Sequence, residues 1–183
     1  SRASIIIMEL QSRKAIEGPS RAPHRAMYKA MGLTNEDLDR PLIGVSSTCN
    51  EATPCNIHLG QLAQSAKRGV KDAGCTPREF TAIAVSDGIA MGHEGMKASL
   101  VSREVIADSI EVMVRAHQYD GVVGISGCDK SLPGVMMARV RRFGPAGTRS
   151  VPPSAQFTMA CFHSSWAGHS VEQRKRVPSW WRK

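Results

Sequence analysis

Gly121-Val122-Val123-Gly124-Ile125-Ser126-Gly127 is a short apolar run that ends directly on Cys128-Asp129-Lys130-Ser131-Leu132-Pro133-Gly134. Its length and its β-branched residues read as a buried strand. The residues that follow set a soft thiol, a hard carboxylate and an amine side by side. In open α/β sheets the carboxyl ends of parallel strands face the ligand crevice, because each chain leaves the sheet there and its loop exposes polar groups. Two earlier runs end in the same way: residues 41–48 lead into Cys49-Asn50-Glu51-Ala52-Thr53-Pro54-Cys55, and residues 80–86 lead into Asp87-Gly88. The pattern predicts thiols and carboxylates from three segments gathered at one sheet edge.

Between these runs the apolar period changes. Leu59, Leu62, Ala63, Ala66 and Val70 fall at helical spacing and Gly74 supplies a stop. Leu100, Val101, Val105, Ile106, Ile110, Met113 and Val114 mark a second, longer helix. The alternation specifies an α/β fold, a parallel sheet with flanking helices joined by right-handed crossovers. Residues 132–140 open a third helix with Pro133 in its first turn. A short helix is expected over residues 25–31, after surface turns at Gly18-Pro19 and Ala22-Pro23.

With 183 residues, 42% hydrophobic and 22% charged, the chain suits one ordinary globular domain. No apolar run approaches the roughly 18 residues of a membrane helix, and Ser4-Ile5-Ile6-Ile7-Met8 is too short for a signal-peptide core. A soluble, cytoplasmic protein is expected, and its first residue, Ser1, suggests a partial or processed chain. Five cysteines without an even framework argue for reduced or metal-bound thiols. The net charge of +8 is unevenly placed: residues 1–138 hold 15 Lys+Arg and 15 Asp+Glu, whereas residues 139–183 hold nine and one. Those last residues also hold Trp166, Trp180 and Trp181 and lack helical or strand periodicity. Residues 139–183 are therefore expected to be an irregular basic tail and not a domain. Binding of single-stranded nucleic acid by charge and stacking is the weaker reading, because the tryptophans do not recur regularly.

Cys55 and Cys128 stand at strand-to-helix turns, where a helix N-terminus favours the thiolate that binds metals. Both could equally be small buried hydrophobes. Cys75 follows a helix stop and Cys161 lies in the tail, so neither is favoured. Asp87 and Asp129 each follow an apolar run, where an unpaired carboxylate is hard to bury and an oxygen ligand for Mg²⁺ is well placed. A helix N-cap is the plain alternative for Asp87, and an ion pair with Asp129 the plain one for Lys130. Gly92-His93-Glu94-Gly95-Met96 reads as a polar turn, and His58 opens the helix after Cys55. No Gly-x-Gly-x-x-Gly turn follows any strand, which disfavours a dinucleotide site.

Five segments in order carry a resemblance: Arg21-Ala22-Pro23-His24-Arg25-Ala26-Met27, Thr53-Pro54-Cys55-Asn56-Ile57-His58-Leu59, Ser86-Asp87-Gly88-Ile89-Ala90-Met91-Gly92-His93-Glu94-Gly95-Met96, Ser102-Arg103-Glu104-Val105-Ile106-Ala107-Asp108-Ser109 and Gly127-Cys128-Asp129-Lys130. Together they resemble the N-terminal part of the dihydroxy-acid dehydratases, over about residues 15–138. The forms Thr53-Pro54-Cys55-Asn56 and Gly92-His93-Glu94-Gly95 favour that branch over the phosphogluconate dehydratases, with sugar-acid dehydratases the closer alternative.

The resemblance implies an incomplete N-terminal domain of the dehydratase fold and, in the intact family, a homodimer acting on a small dihydroxy acid. It implies a hydro-lyase that turns 2,3-dihydroxy-3-methylbutanoate, and the methylpentanoate homologue, into the 2-keto acid plus water in valine, isoleucine and leucine biosynthesis. It implies an iron–sulfur cluster, 2Fe–2S favoured over 4Fe–4S, with Cys55 and Cys128 as two of its cysteine ligands. It implies Mg²⁺ held by Asp87, Asp129 and a carbamylated Lys130, the carbamate replacing an amine that cannot share a site with a dication. The third cysteine, a further glutamate and the serine that serves as base have no counterpart here, so no catalytic base is identified. Cys49 stands where a non-ligand is expected.

After Ala138 the resemblance stops where the charge balance breaks, as expected of a reading-frame error or a truncation product. Sequencing the gene downstream of the Ala138 codon should show a one- or two-base shift that restores dehydratase-like sequence. An intact frame with no such continuation would make the tail native to this protein.

Overall fold

The computed structural model describes residues 10–143 and 158–161. Three short helices, α1 (Arg13–Ile16), α2 (Ala22–Ala30) and α3 (Asn35–Asp39), precede β1 (Leu42–Ser47). The chain continues through α4 (Leu59–Asp72), β2 (Thr76–Thr81), α5 (Asp87–Ala90), α6 (Lys97–Ala116), β3 (Gly121–Ser126) and α7 (Ser131–Phe143), with β4 (Thr158–Cys161) beyond. The four strands are parallel in the order β2-β1-β3-β4.

β1 is buried along its whole length and β3 nearly so, as strands covered on both faces should be. Their side chains alternate between two cores. On one face Leu42 and Val122 pack with Ile106, Ile110 and Val114 of α6 and with Val135 and Ala138 of α7. On the other, Val45 and Ile125 pack with Leu59 and Ala63 of α4. The α6–α7 crossing depends on Gly134, where a Cβ would lie 2.8 Å from the Arg103 carbonyl oxygen. From β1 the chain crosses to β2 on one side, then returns to β3 on the other. The direction of travel thus reverses between β1 and β3, which opens a crevice at their carboxyl ends.

The second strand differs from its expected position. β2 spans Thr76–Thr81, not residues 80–86. As an edge strand it needs no continuous apolar run, and Pro77, which has no N–H, is tolerated there. The ladder ends one step later, with the Ala82 N–H donating to the Ser47 carbonyl at 2.9 Å, because β1 leaves the sheet. Asp87 therefore follows an extended connection and not the strand itself.

The inward face of α6 also differs. Leu100, Val101 and Val105 are 59%, 59% and 44% exposed, while Ser99 and Ser102 are buried. Within the stretch expected to be irregular, Thr158–Cys161 forms β4 against β3; four residues are too few to show a period. The remainder of the tail, with its tryptophans and most of its basic residues, lies outside the described residues. Among the described residues no helix is long and apolar enough to cross a membrane.

At the amino ends of the strands one buried carboxylate ties three segments together. Asp120 accepts the Ser12 N–H at 2.9 Å and the Leu42 N–H at 2.8 Å. Truncation in D120A strands two buried donors at about 1–3 kcal/mol each, so a loss of about 2–6 kcal/mol of unfolding free energy is expected in urea titrations. D120N, which keeps one acceptor, should lose less. Equal midpoints for D120A and wild type would show that this tie contributes nothing.

Candidate metal centre

The loops leaving β1 and β3 bring Cys55 and Cys128 face to face, with Sγ atoms 2.8 Å apart. Both are free cysteines. The close approach requires Gly127: a Cβ there would sit 2.3 Å from the Cys55 carbonyl oxygen and 2.6 Å from Asn56 Oδ1. Burial first, and then the hydrogen bond with Cys55, push the Cys128 thiol up to about 12. At neutral pH it is a protonated thiol that a soft metal would have to deprotonate.

Beside this pair, Lys130 Nζ donates to Asp87 Oδ2 at 2.6 Å and to Asp129 Oδ2 at 2.8 Å. Asp87 opens α5, and its other oxygen accepts a hydrogen bond from Ser99 Oγ. The Lys130 and Ser99 hydrogen bonds hold the Asp87 carboxyl below its ordinary range. Asp129 and then Asp87 raise the Lys130 ammonium to about 12. All five candidate side chains thus gather at the carboxyl edge, although Asp87 arrives through a connection and not from a strand end.

The donors match the two metals chemically. Paired thiols suit an iron–sulfur cluster and clustered oxygens suit Mg²⁺. Among the described residues no three His, Cys, Asp or Glu side chains converge on a metal position. The carboxylates converge on an amine, and a carbamate on Lys130 would replace its positive charge with anionic oxygen donors beside them. Asn56, fully buried in the turn of Cys55, has no partner for either carboxamide atom, so the cysteine side keeps polar capacity in reserve.

The other candidates fall elsewhere. Cys49 lies on the α4 side, packed against the core of Val45 and Leu59. Cys75 precedes β2 at the opposite end of the sheet, and burial raises its thiol. Cys161 pairs by backbone register with Ser126. Glu94 is exposed and bridges to Lys97, and His93 accepts the Gly95 N–H at 3.0 Å within the polar turn. His58 stands at the start of α4. Sequence reasoning missed Ser99, Ser126, Ser131 and Asn56. Hydroxyls on the inward face of α6 were the available signal for Ser99.

The profile described as dihydroxy-acid/6-phosphogluconate dehydratase N-terminal matches residues 40–150. A dihydroxy-acid dehydratase of Dinoroseobacter shibae is 62% identical over 133 residues, covering 73% of this chain and 23% of that protein. Relatives of the same name from Pelagibacter ubique and Pyrococcus abyssi are 63% and 57% identical over 133 and 130 residues, covering 73% and 71% of this chain and 23% and 24% of their own lengths. The chain spans about a quarter of the curated relatives it matches. A creatininase mutant complexed with creatine aligns only slightly, at a TM-score of 0.36 and 14% identity, over 78% of this chain and 57% of that one.

The ion pair has a defined pH signature. The depressed Asp87 contributes stability above its unfolded value of about 3.9 and loses it as pH falls through the lower folded value. The raised Lys130 contributes below about 10.4 and loses its contribution as pH rises through about 12. In metal-free buffer the stability gap between wild type and K130M should be flat from about pH 5 to 9 and shrink in stronger acid. Urea unfolding across that range measures it; a gap that widens on acidification would reverse the assigned signs.

Proposed function

This chain belongs to the dihydroxy-acid/6-phosphogluconate dehydratase family, and from that premise we propose that it is the N-terminal segment of a dihydroxy-acid dehydratase. The whole enzyme would convert 2,3-dihydroxy-3-methylbutanoate, and its methylpentanoate homologue, to the 2-keto acid plus water in branched-chain amino-acid biosynthesis. It would do so as a cytoplasmic homodimer. The observation that carries this reading is the Lys130 nitrogen held between Asp87 and Asp129, next to Cys128 facing Cys55.

In this reading Cys55 and Cys128 hold an iron–sulfur cluster, 2Fe–2S in type, and Asp87, Asp129 and carbamylated Lys130 hold Mg²⁺. When bound, the two groups supply Lewis acidity toward the substrate carboxylate and 2-hydroxyl and toward the departing 3-hydroxyl. Ser99 orients Asp87 by its hydrogen bond. Gly127 lets the two cysteine loops meet. Lys130 must lose a proton before its nitrogen can attack carbon dioxide, and the raised ammonium opposes that step. Carbamate formation then releases a second proton and leaves an anion, so it would exchange the positive charge between Asp87 and Asp129 for oxygen donors suited to a dication. The base that removes the C2 proton would come from the part of the whole enzyme that this chain does not span.

The chain alone, reconstituted anaerobically with iron, sulfide and Mg²⁺, should form no 2-keto acid. Absence of a positioned base by itself costs about a hundred- to ten-thousand-fold. A chimera in which residues 10–138 replace the matching segment of the Dinoroseobacter shibae relative should form 2-keto acid within about tenfold of that relative. The same chimera with D129A should be inactive. A folded, iron-loaded chimera that dehydrates a sugar acid and leaves the dihydroxy acid untouched would move the assignment to the sugar-acid branch.

A further inference from the structure

Ser131 opens α7 and is 1% exposed. Its Oγ lies 3.1 Å from the Cys128 nitrogen, 2.9 Å from the Cys128 carbonyl oxygen and 2.7 Å from Ser126 Oγ. A hydroxyl has one proton to donate and two lone pairs to accept with. Ser131 can use all three: it accepts the Cys128 N–H and the Ser126 O–H and donates to the Cys128 carbonyl. A hydroxyl serving the helix would accept an N–H from the turn ahead of it. This one bonds backwards to the peptide groups on both sides of the Cys128 Cα.

We propose that Ser131 is a positioning residue that locks the Cys128-Asp129-Lys130 turn and thereby aims the Cys128 thiol at Cys55. Fixing both the N–H and the C=O of Cys128 fixes the direction of its Cα–Cβ bond. The carboxylate and amine that follow lie inside the same clamped loop, so one buried hydroxyl sets the spacing between the thiol pair and the oxygen cluster. Ser126, on β3, ties the clamp to the sheet, which keeps the loop at the level where the Cys55 turn arrives. The inference rests on Cys55 and Cys128 acting as a ligand pair. Outer partners that orient metal ligands typically account for about 10–100-fold in metal affinity.

The test uses the 183-residue chain and Cd²⁺ alone as a thiolate probe, followed by the thiolate-to-cadmium charge-transfer band, with circular dichroism to confirm folding. Wild type should bind, and C55S and C128S should each lose the band. S131A should bind about 10–100-fold more weakly. S109A, which removes a partly buried hydroxyl that bonds only to the Ile106 carbonyl within α6, should stay within about threefold. Should S131A fail to fold, S131T and S131V, matched in size, isolate the hydroxyl, and the valine variant should be weaker by about tenfold or more. Wild-type affinity in S131A, or equal affinity in the threonine and valine variants, overturns the proposal while leaving the cysteine pair intact. No band in wild type, or a band surviving both C55S and C128S, removes the ligand pair and the proposal with it.

Discussion

Parallel pairing of β1 with β3 is the constraint on which the rest depends. Their register sets Ser47 opposite Ile125, and the Thr48 N–H extends the ladder to the Ile125 carbonyl at 3.2 Å. The two chains therefore leave the sheet at the same level. Their crossovers run to opposite sides, so the loops diverge from a shared point and leave room between them. A slip of one residue would turn Val45 and Ile125 out of the α4 core and carry the two cysteine loops out of alignment.

Packing changes character along the strands. In the middle of the sheet the layers meet through Leu, Ile and Val. Toward the carboxyl edge small hydroxyl residues take over: Ser46, Ser47 and Thr48 on the β1 side, Ser126 and Ser131 on the β3 side, Ser99 and Ser102 on α6, all buried. Buried polar groups are costly unless paired, and three of these are paired with the functional loops, while the Ser46 and Thr48 hydroxyls have no partner among the described residues. Ser99 binds Asp87, Ser131 binds the Cys128 peptide groups, and Ser47 Oγ accepts the Cys49 N–H at 3.1 Å. The edge is thus a hydrogen-bonded frame laid on an apolar floor.

Much of the fold was legible because its signals are local. The helices α4, α6 and α7 and the strands β1 and β3 follow from periodicity and from Gly74, which has a positive φ of 74°. β2 was misplaced because an edge strand such as Thr76-Pro77-Arg78-Glu79 obtains its conformation from its neighbour and not from an apolar pattern. The outer face of α6, with Leu100, Val101 and Val105 exposed, departs from the apolar pattern for a related reason. A helix carrying apolar residues on more than one side does not announce which side meets the sheet, and Gly134 of α7 selects the side with room for a close crossing.

By itself the sequence determined which chemical groups follow which apolar runs, since Cys55, Asp87, Cys128, Asp129 and Lys130 each stand just beyond one, although Asp87 reaches the edge through a connection and not from a strand end. It determined the family as well, because the ordered motifs survive independently of any contact. Only the tertiary structure decided that the thiols form one pair and the carboxylates close on one amine. It also decided that Ser99 and Ser131 hold those groups in place. The contacts of Cys55 with Cys128 and of Asp87 with Lys130 join residues 73 and 43 positions apart, and no local period encodes them; they arise when strand order, register and two glycine-permitted approaches bring separate loops to one edge.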